Sequence, residues 1–159
     1  MTSTTGNTGA TVRNSLLLTP PVWTTSVSSL GPVGSWTLTE IETAVRAAWG
    51  EDTCDPVDLP WSTDNPAKGQ CGVTALVIND LLGGDLMSAK VFFPDGTQQG
   101  WHTWNVFADG FEVDLTLEQF RAGEVVQPPE RIVRAPGPPT RTPERYEALR
   151  ARVLEALNP

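Results

Sequence analysis

Three side chains in this sequence could together open an acyl bond: the thiol of Cys71, the imidazole of His102 and the carboxylate of Asp114. A thiolate attacks carbonyl carbon, an imidazole takes and returns a proton near neutral pH, and a carboxylate fixes the imidazole's tautomer. His102 is the chain's single histidine, and Cys54 and Cys71 are its two cysteines. One His and two Cys do not make an ordinary zinc site unless carboxylates complete it, so no metal and no other cofactor is expected. One His can, however, serve one thiol as base and acid.

Each group needs an element to hold it. Cys71 follows the polar loop Trp61-Ser62-Thr63-Asp64-Asn65-Pro66-Ala67-Lys68-Gly69-Gln70 and opens a run that is apolar nearly all round: Val73, Ala75, Leu76, Val77, Ile78, Leu81 and Leu82. That pattern predicts a mostly buried helix, stopped at Gly83-Gly84. Free N–H groups at a helix start carry partial positive charge. They favour a thiolate and can hold an oxyanion. Gln70 could add a donor to that oxyanion or cap the helix, and Asn65 and Trp61 are candidates to line the site. Cys54 sits among carboxylates, Glu51-Asp52-Thr53-Cys54-Asp55, which disfavours a thiolate there.

His102 falls in a strand, Trp101 to Phe107, with Trp104 and Val106 on its face. Trp101, Thr103, Asn105 and Phe107 share the other. Trp104 would shield the imidazole or fill the core. Asn105 is a competing orienter, but alternation points it away from His102. Asp109-Gly110 predicts a two-residue hairpin to a strand from Phe111 to Leu115. That register sets Thr103 opposite Asp114 and His102 opposite Leu115, leaving His102 and Asp114 diagonal. A bulge or a longer loop would bring them together.

The remaining elements form the frame. Thr39-Glu40-Ile41-Glu42 reads as a capping box opening a helix to Trp49, with Gly50 as its stop. Met87 to Phe93 is a strand closed by the turn Pro94-Asp95-Gly96-Thr97. Thr116 caps a short turn over Leu117 to Phe120. Residues 121–140 read as irregular and Pro-rich. Pro143 starts a helix over 143–157, with Tyr146, Leu149, Val153, Leu154 and Leu157 along one stripe. The order predicts an α+β domain over 36–159, a nucleophile-bearing helix on a small antiparallel sheet. Residues 1–35 lack periodicity and read as an arm or strap.

Gly69-Gln70-Cys71-Gly72-Val73-Thr74-Ala75, then His102-Thr103-Trp104, then Asp114-Leu115-Thr116 resembles the transglutaminase-like core, with its G-x-C-x-x-x-A, H-x-W and D-x-T motifs in that order. With Asn65-Pro66-Ala67-Lys68, Gly83-Gly84 and Asn105 added, the pattern resembles an uncharacterised bacterial family, the YunG-like proteins. The resemblance covers residues 36–122. It implies a papain-like fold and a Cys71-His102-Asp114 triad, and supplies no substrate. The extra modules and calcium sites of tissue transglutaminases are not recognisable here.

Composition narrows the classes. The net charge is −8 with 11 Lys plus Arg, which argues against nucleic acid and anionic membranes as partners. No apolar run approaches a membrane span or a signal-peptide core, so the expectation is a cytoplasmic protein with free thiols. A small molecule or peptide carrying an acyl group is the expected substrate, handled by a cysteine hydrolase or acyltransferase. Two alternatives stay open: a non-catalytic binding module, whose polar arm and Pro-rich stretch would suit a carrier or partner protein, and a redox pair of Cys54 with Cys71.

Overall fold

Two overlapping hydroxyl–glutamate pairs, Thr37/Glu40 and Thr39/Glu42, compete to start the first helix, and the upstream one prevails. The computed structural model describes residues 26–27, 36–141 and 143–158. In it α1 runs Leu38–Ala48 with Thr37, not Thr39, as its N-cap. Thr37 ends a short strand, so its backbone is already extended, as an N-cap must be. Its hydroxyl accepts from the Glu40 N–H at 3.2 Å, and the Glu40 carboxylate accepts from the Thr37 N–H at 2.7 Å. Glu42 instead pairs with Arg46 one turn on, at 2.8 Å. Thr37→Ala is expected to cost about 1 kcal/mol, read from its urea midpoint against that of the wild type. The stop differs too. Gly50 is not needed in a left-handed conformation, because Trp49 itself turns extended.

β1 (Ser26–Val27) pairs antiparallel with β2 (Trp36–Thr37). The other residues of the expected 1–35 arm lie outside the described residues. α2 (Cys71–Leu82) is buried along most of its length, as its composition predicts. Asn79 breaks the apolar run because it holds the stop: its amide donates to the carbonyls of Gly83 and Gly84. Gly84 has φ +77°, and a Cβ there would meet the Val106 carbonyl oxygen at 2.6 Å.

The antiparallel sheet is built on β3 (Asp85–Phe92) and β4 (Gln98–Val106), joined by the expected turn around Gly96. β5 (Glu112–Val113) pairs with β4 on the far side. β6 (Val125–Val126) and β7 (Glu130–Ile132) lie in the stretch expected to be irregular. Both add to the free edge of β3. These two strands are too short to carry a period of two, and Pro128-Pro129 separates them. α3 (Pro143–Leu157) packs against both α1 and α2, and α2 lies on β4. Trp36 ties β2 to the end of α3 through its indole N–H and the Leu157 carbonyl. Arg134 binds the Leu76 carbonyl and Asp80 on α2 and the Tyr146 hydroxyl on α3, holding the segment after β7 against both helices. The described residues thus form an α+β domain, and among them no helix is long and apolar enough to cross a membrane.

Candidate active site

The hairpin between β4 and β5 decides where Asp114 points. Asn105 pairs with Val113 and Val106 with Glu112, and Phe107 N–H bonds to the Phe111 carbonyl at 2.8 Å. The loop is therefore Ala108-Asp109-Gly110, three residues rather than the expected two. Gly110 has φ +82° and its N–H returns to the Phe107 carbonyl, the arrangement of a type I turn followed by a left-handed residue. A one-residue change of register moves a whole strand to the other face. Here it brings Asp114 onto the face of His102 and Trp104.

Asp114 follows the last paired residue of β5 and reaches back diagonally. Its Oδ2 lies 2.6 Å from His102 Nε2, with both side chains almost fully buried. Its Oδ1 accepts from the Thr116 N–H at 3.1 Å and the Thr116 hydroxyl at 3.2 Å. The D-x-T spacing thereby clamps the carboxylate. Thr116 was expected to cap the 3₁₀ turn Leu117–Gln119, but its hydroxyl makes no cap bond there.

His102 is 1% exposed. Trp104 stacks on one side with ring centres 5.2 Å apart, and Phe120 meets the ring edge-on at 4.7 Å. Burial alone would lower the imidazole's pKa. The charge and hydrogen bond of Asp114, with the adjacent Cys71 sulfur, outweigh it and raise the value to about 9.

Cys71 begins α2 and is partly exposed. Its sulfur lies 3.7 Å from the Trp101 carbonyl on β4. The first intrahelical bond of α2 runs from Thr74 N–H to the Gln70 carbonyl at 3.0 Å. The N–H groups ahead of Thr74 therefore have no helical acceptor, at the end of the helix that carries Cys71. A cleft of about 380 Å³ opens onto Cys71, with Gly72, Thr103, Gln119 and Phe120 in its walls. Its rim carries Lys68, Arg141 and Arg145 with Asp55 and Asp58. Among the described residues no group of carboxylates, His and Cys could hold a metal ion.

The other expected site residues are placed differently. Gln70 is fully buried and does not line the cleft. Its amide donates to the Gly50 carbonyl at 3.0 Å and makes no helix cap. The oxyanion role expected of Gln70 therefore does not fit: its amide is directed to a carbonyl on the inner side of the loop. Asn65 donates to the Gln119 carbonyl at 3.0 Å, one step behind the cleft. Trp61 packs on the core and binds the Pro66 carbonyl. Asn105 faces α2 and donates to the Ala75 carbonyl at 2.8 Å, so Asp114 and not Asn105 meets the imidazole. Trp104 is core and shield together, its indole N–H held by Glu112.

Cys54 is a free thiol under the same loop. A Cβ on Gly69 would meet its sulfur at 2.5 Å, and Gly69 has φ +73°. Burial, then Asp58 and Asp55, push the Cys54 thiol up to about 11. Gln119 and Phe120 were not anticipated. They follow Asp114 by five and six residues and reach His102 only because the chain turns back at Thr116.

A model of the YunG protein family matches residues 37–158, well over half of the 159-residue chain. The chain is also similar to a protein of Bacillus subtilis (strain 168) described as uncharacterized protein YunG. The two are 42% identical over 62 residues, which is 39% of this chain and 48% of that one. The chain thus spans about half the length of this curated relative. No solved structure matches it. The matched region includes the Cys71 helix start, the His102 strand and the Asp114 turn, and the chain belongs to the YunG protein family.

Proposed function

We propose that the protein is a cysteine-dependent acyl-transfer enzyme of the transglutaminase-like, papain-like kind, acting on amides, peptides or thioesters. The observation that carries this reading is the buried His102–Asp114 pair at 2.6 Å beside a cleft-facing thiol at the start of an apolar helix. A purely structural histidine has no need of both a carboxylate partner and a thiol close enough to raise its pKa.

The Nε2–H of His102 donates to Asp114, and Nδ1 is left for the thiol. His102 takes the Cys71 proton, and the sulfur attacks the carbonyl carbon. The C–S bond forms as the carbonyl π pair moves to oxygen, where the first-turn N–H groups of α2 stabilise it. When the oxyanion collapses, the bond to the leaving nitrogen, oxygen or sulfur breaks, and His102 Nδ1–H protonates that group. Water or an amine then attacks the thioester and gives its proton to His102. The C–S bond breaks, and Cys71 leaves as thiolate. Hydrolysis and transamidation differ only in that second nucleophile.

Iodoacetamide at pH 7 to 8 tests the reactive thiol. Cys71 is expected to be alkylated, and Cys54 only after unfolding, because its thiol is buried and held protonated. Intact-mass spectrometry with peptide mapping reads the site, and a panel of amides and thioesters reads the acyl adduct. Equal labelling of both thiols in the folded protein, or no adduct from any acyl donor, would reject the proposal in favour of a binding module.

A further inference from the structure

The Nδ1 atom that the proposed reaction requires already has a neighbour. The Gln119 side-chain nitrogen lies 3.2 Å from it, and the same nitrogen donates to the Thr116 carbonyl at 2.9 Å. The second contact fixes the amide's orientation. A carbonyl can only accept, so the NH₂ end faces Thr116 and therefore also faces His102. Turning the amide over would set its oxygen against the Thr116 oxygen. The Gln119 backbone is fixed as well, since its own carbonyl accepts from Asn65 on the loop leading to Cys71.

We propose that Gln119 is a positioning residue that lowers the proton affinity of His102 by donating to the Nδ1 lone pair, a contact given up when Nδ1 takes the Cys71 proton. An N–H aimed at Nδ1 stabilises the unprotonated nitrogen and opposes a proton there. The groups facing the imidazole then act in opposition. Asp114 on the strand side and the Cys71 sulfur at the helix start favour the imidazolium, and Gln119 opposes it. Trp104 and Phe120 complete the surround without charge, and Glu112 sits behind the Trp104 indole. The more tightly the imidazole holds its proton, the smaller the share of it free to take the proton of the thiol. The functional meaning of this inference rests on the acyl-transfer reading, while its test does not.

The chain has one histidine, so one imidazole signal reports the site. The titration midpoint of His102 in ¹⁵N- and ¹³C-labelled protein should move to higher pH in Gln119→Met, which keeps length and loses the donor. One lost hydrogen bond corresponds to about fivefold in the protonation equilibrium, or roughly 0.7 pH unit. Gln119→Glu replaces the donor with an acceptor of the same shape and should move the midpoint further up. A packing role would leave Gln119→Met near wild type, whereas the carboxylate of Gln119→Glu adds its own charge to the effect. Repeating the series with Cys71→Ser removes the thiol's own titration from the curves. A midpoint that stays or falls in Gln119→Met overturns the proposal, whatever iodoacetamide shows at Cys71.

Discussion

Cys71→Ser is expected to lower acyl-transfer turnover by on the order of a thousandfold or more and to abolish the covalent adduct seen by intact mass. Serine is nearly the same size and the Cys71 side chain is only partly buried, so the fold and its urea midpoint should be unchanged. The loss is chemical. A serine hydroxyl at this position ionises far less readily than a thiol, and the single imidazole is matched to one exchangeable sulfur proton. Cys71→Ala should behave the same way, with the His102 signal retained. Turnover of Cys71→Ser within a factor of about ten of wild type would show that another group carries the reaction. The measurement is a single-turnover time course with the best acyl donor from the panel, followed by mapping of any modified residue.

Asp114→Asn is expected to be nearly as damaging, for a different reason. The new amide would keep its oxygen on the Thr116 N–H and hydroxyl, which leaves its NH₂ facing His102 Nε2. Nε2 would then have to accept, and the imidazole proton would move to Nδ1, where it blocks removal of the Cys71 proton. Losses of on the order of a hundredfold to ten-thousandfold follow from an imidazole in the wrong tautomer. The same substitution should change how stability depends on pH. In the wild type the imidazole's pKa stands at about 9, above the ordinary 6.5. A raised pKa contributes stability that is fully present below about pH 6.5 and is lost as pH rises through about 9. The span corresponds to on the order of 3 kcal/mol. Urea unfolding at pH 6.5 and pH 9.5 should show this loss in the wild type and little of it in Asp114→Asn. Comparing the two proteins cancels the Cys54 thiol, which both share. Equal pH slopes would mean that the His102–Asp114 contact is not an ion pair in the folded protein.

The substitutions also separate what local pattern specifies from what the fold specifies. The Cys71 helix was legible because its signals are local: a glycine-bearing loop before it, an apolar run within it, and Gly83-Gly84 after it. Its depth in the core followed from an apolar surface too wide for one face. The first helix was legible, but its start was not. Thr37 and Thr39 offer the same chemistry, and the antiparallel pairing of Trp36-Thr37 with β1 favours the upstream one. The missed strands β6 and β7 exist because β3 is long and one of its edges is open. Their own residues carry no pattern of that pairing.

Cys71 and His102 stood out as candidates from residue type and position, since one histidine and a cysteine at a helix start leave few chemical options, and Asp114 rested more on the family resemblance. Their meeting was not legible. Asp109-Gly110 suits both a two-residue and a three-residue loop, and the choice reverses the face on which Asp114 stands. The pairing of Phe107 with Phe111 selects the longer loop, and only then does the carboxylate reach His102. Gln119 reaches the imidazole after a turn of the chain, and Gln70 turns inward to the Gly50 carbonyl. The sequence by itself determined which atoms could react. The tertiary structure decided which of them touch, because side-chain direction depends on strand register and loop closure, and both are selected by contacts between segments far apart in the chain.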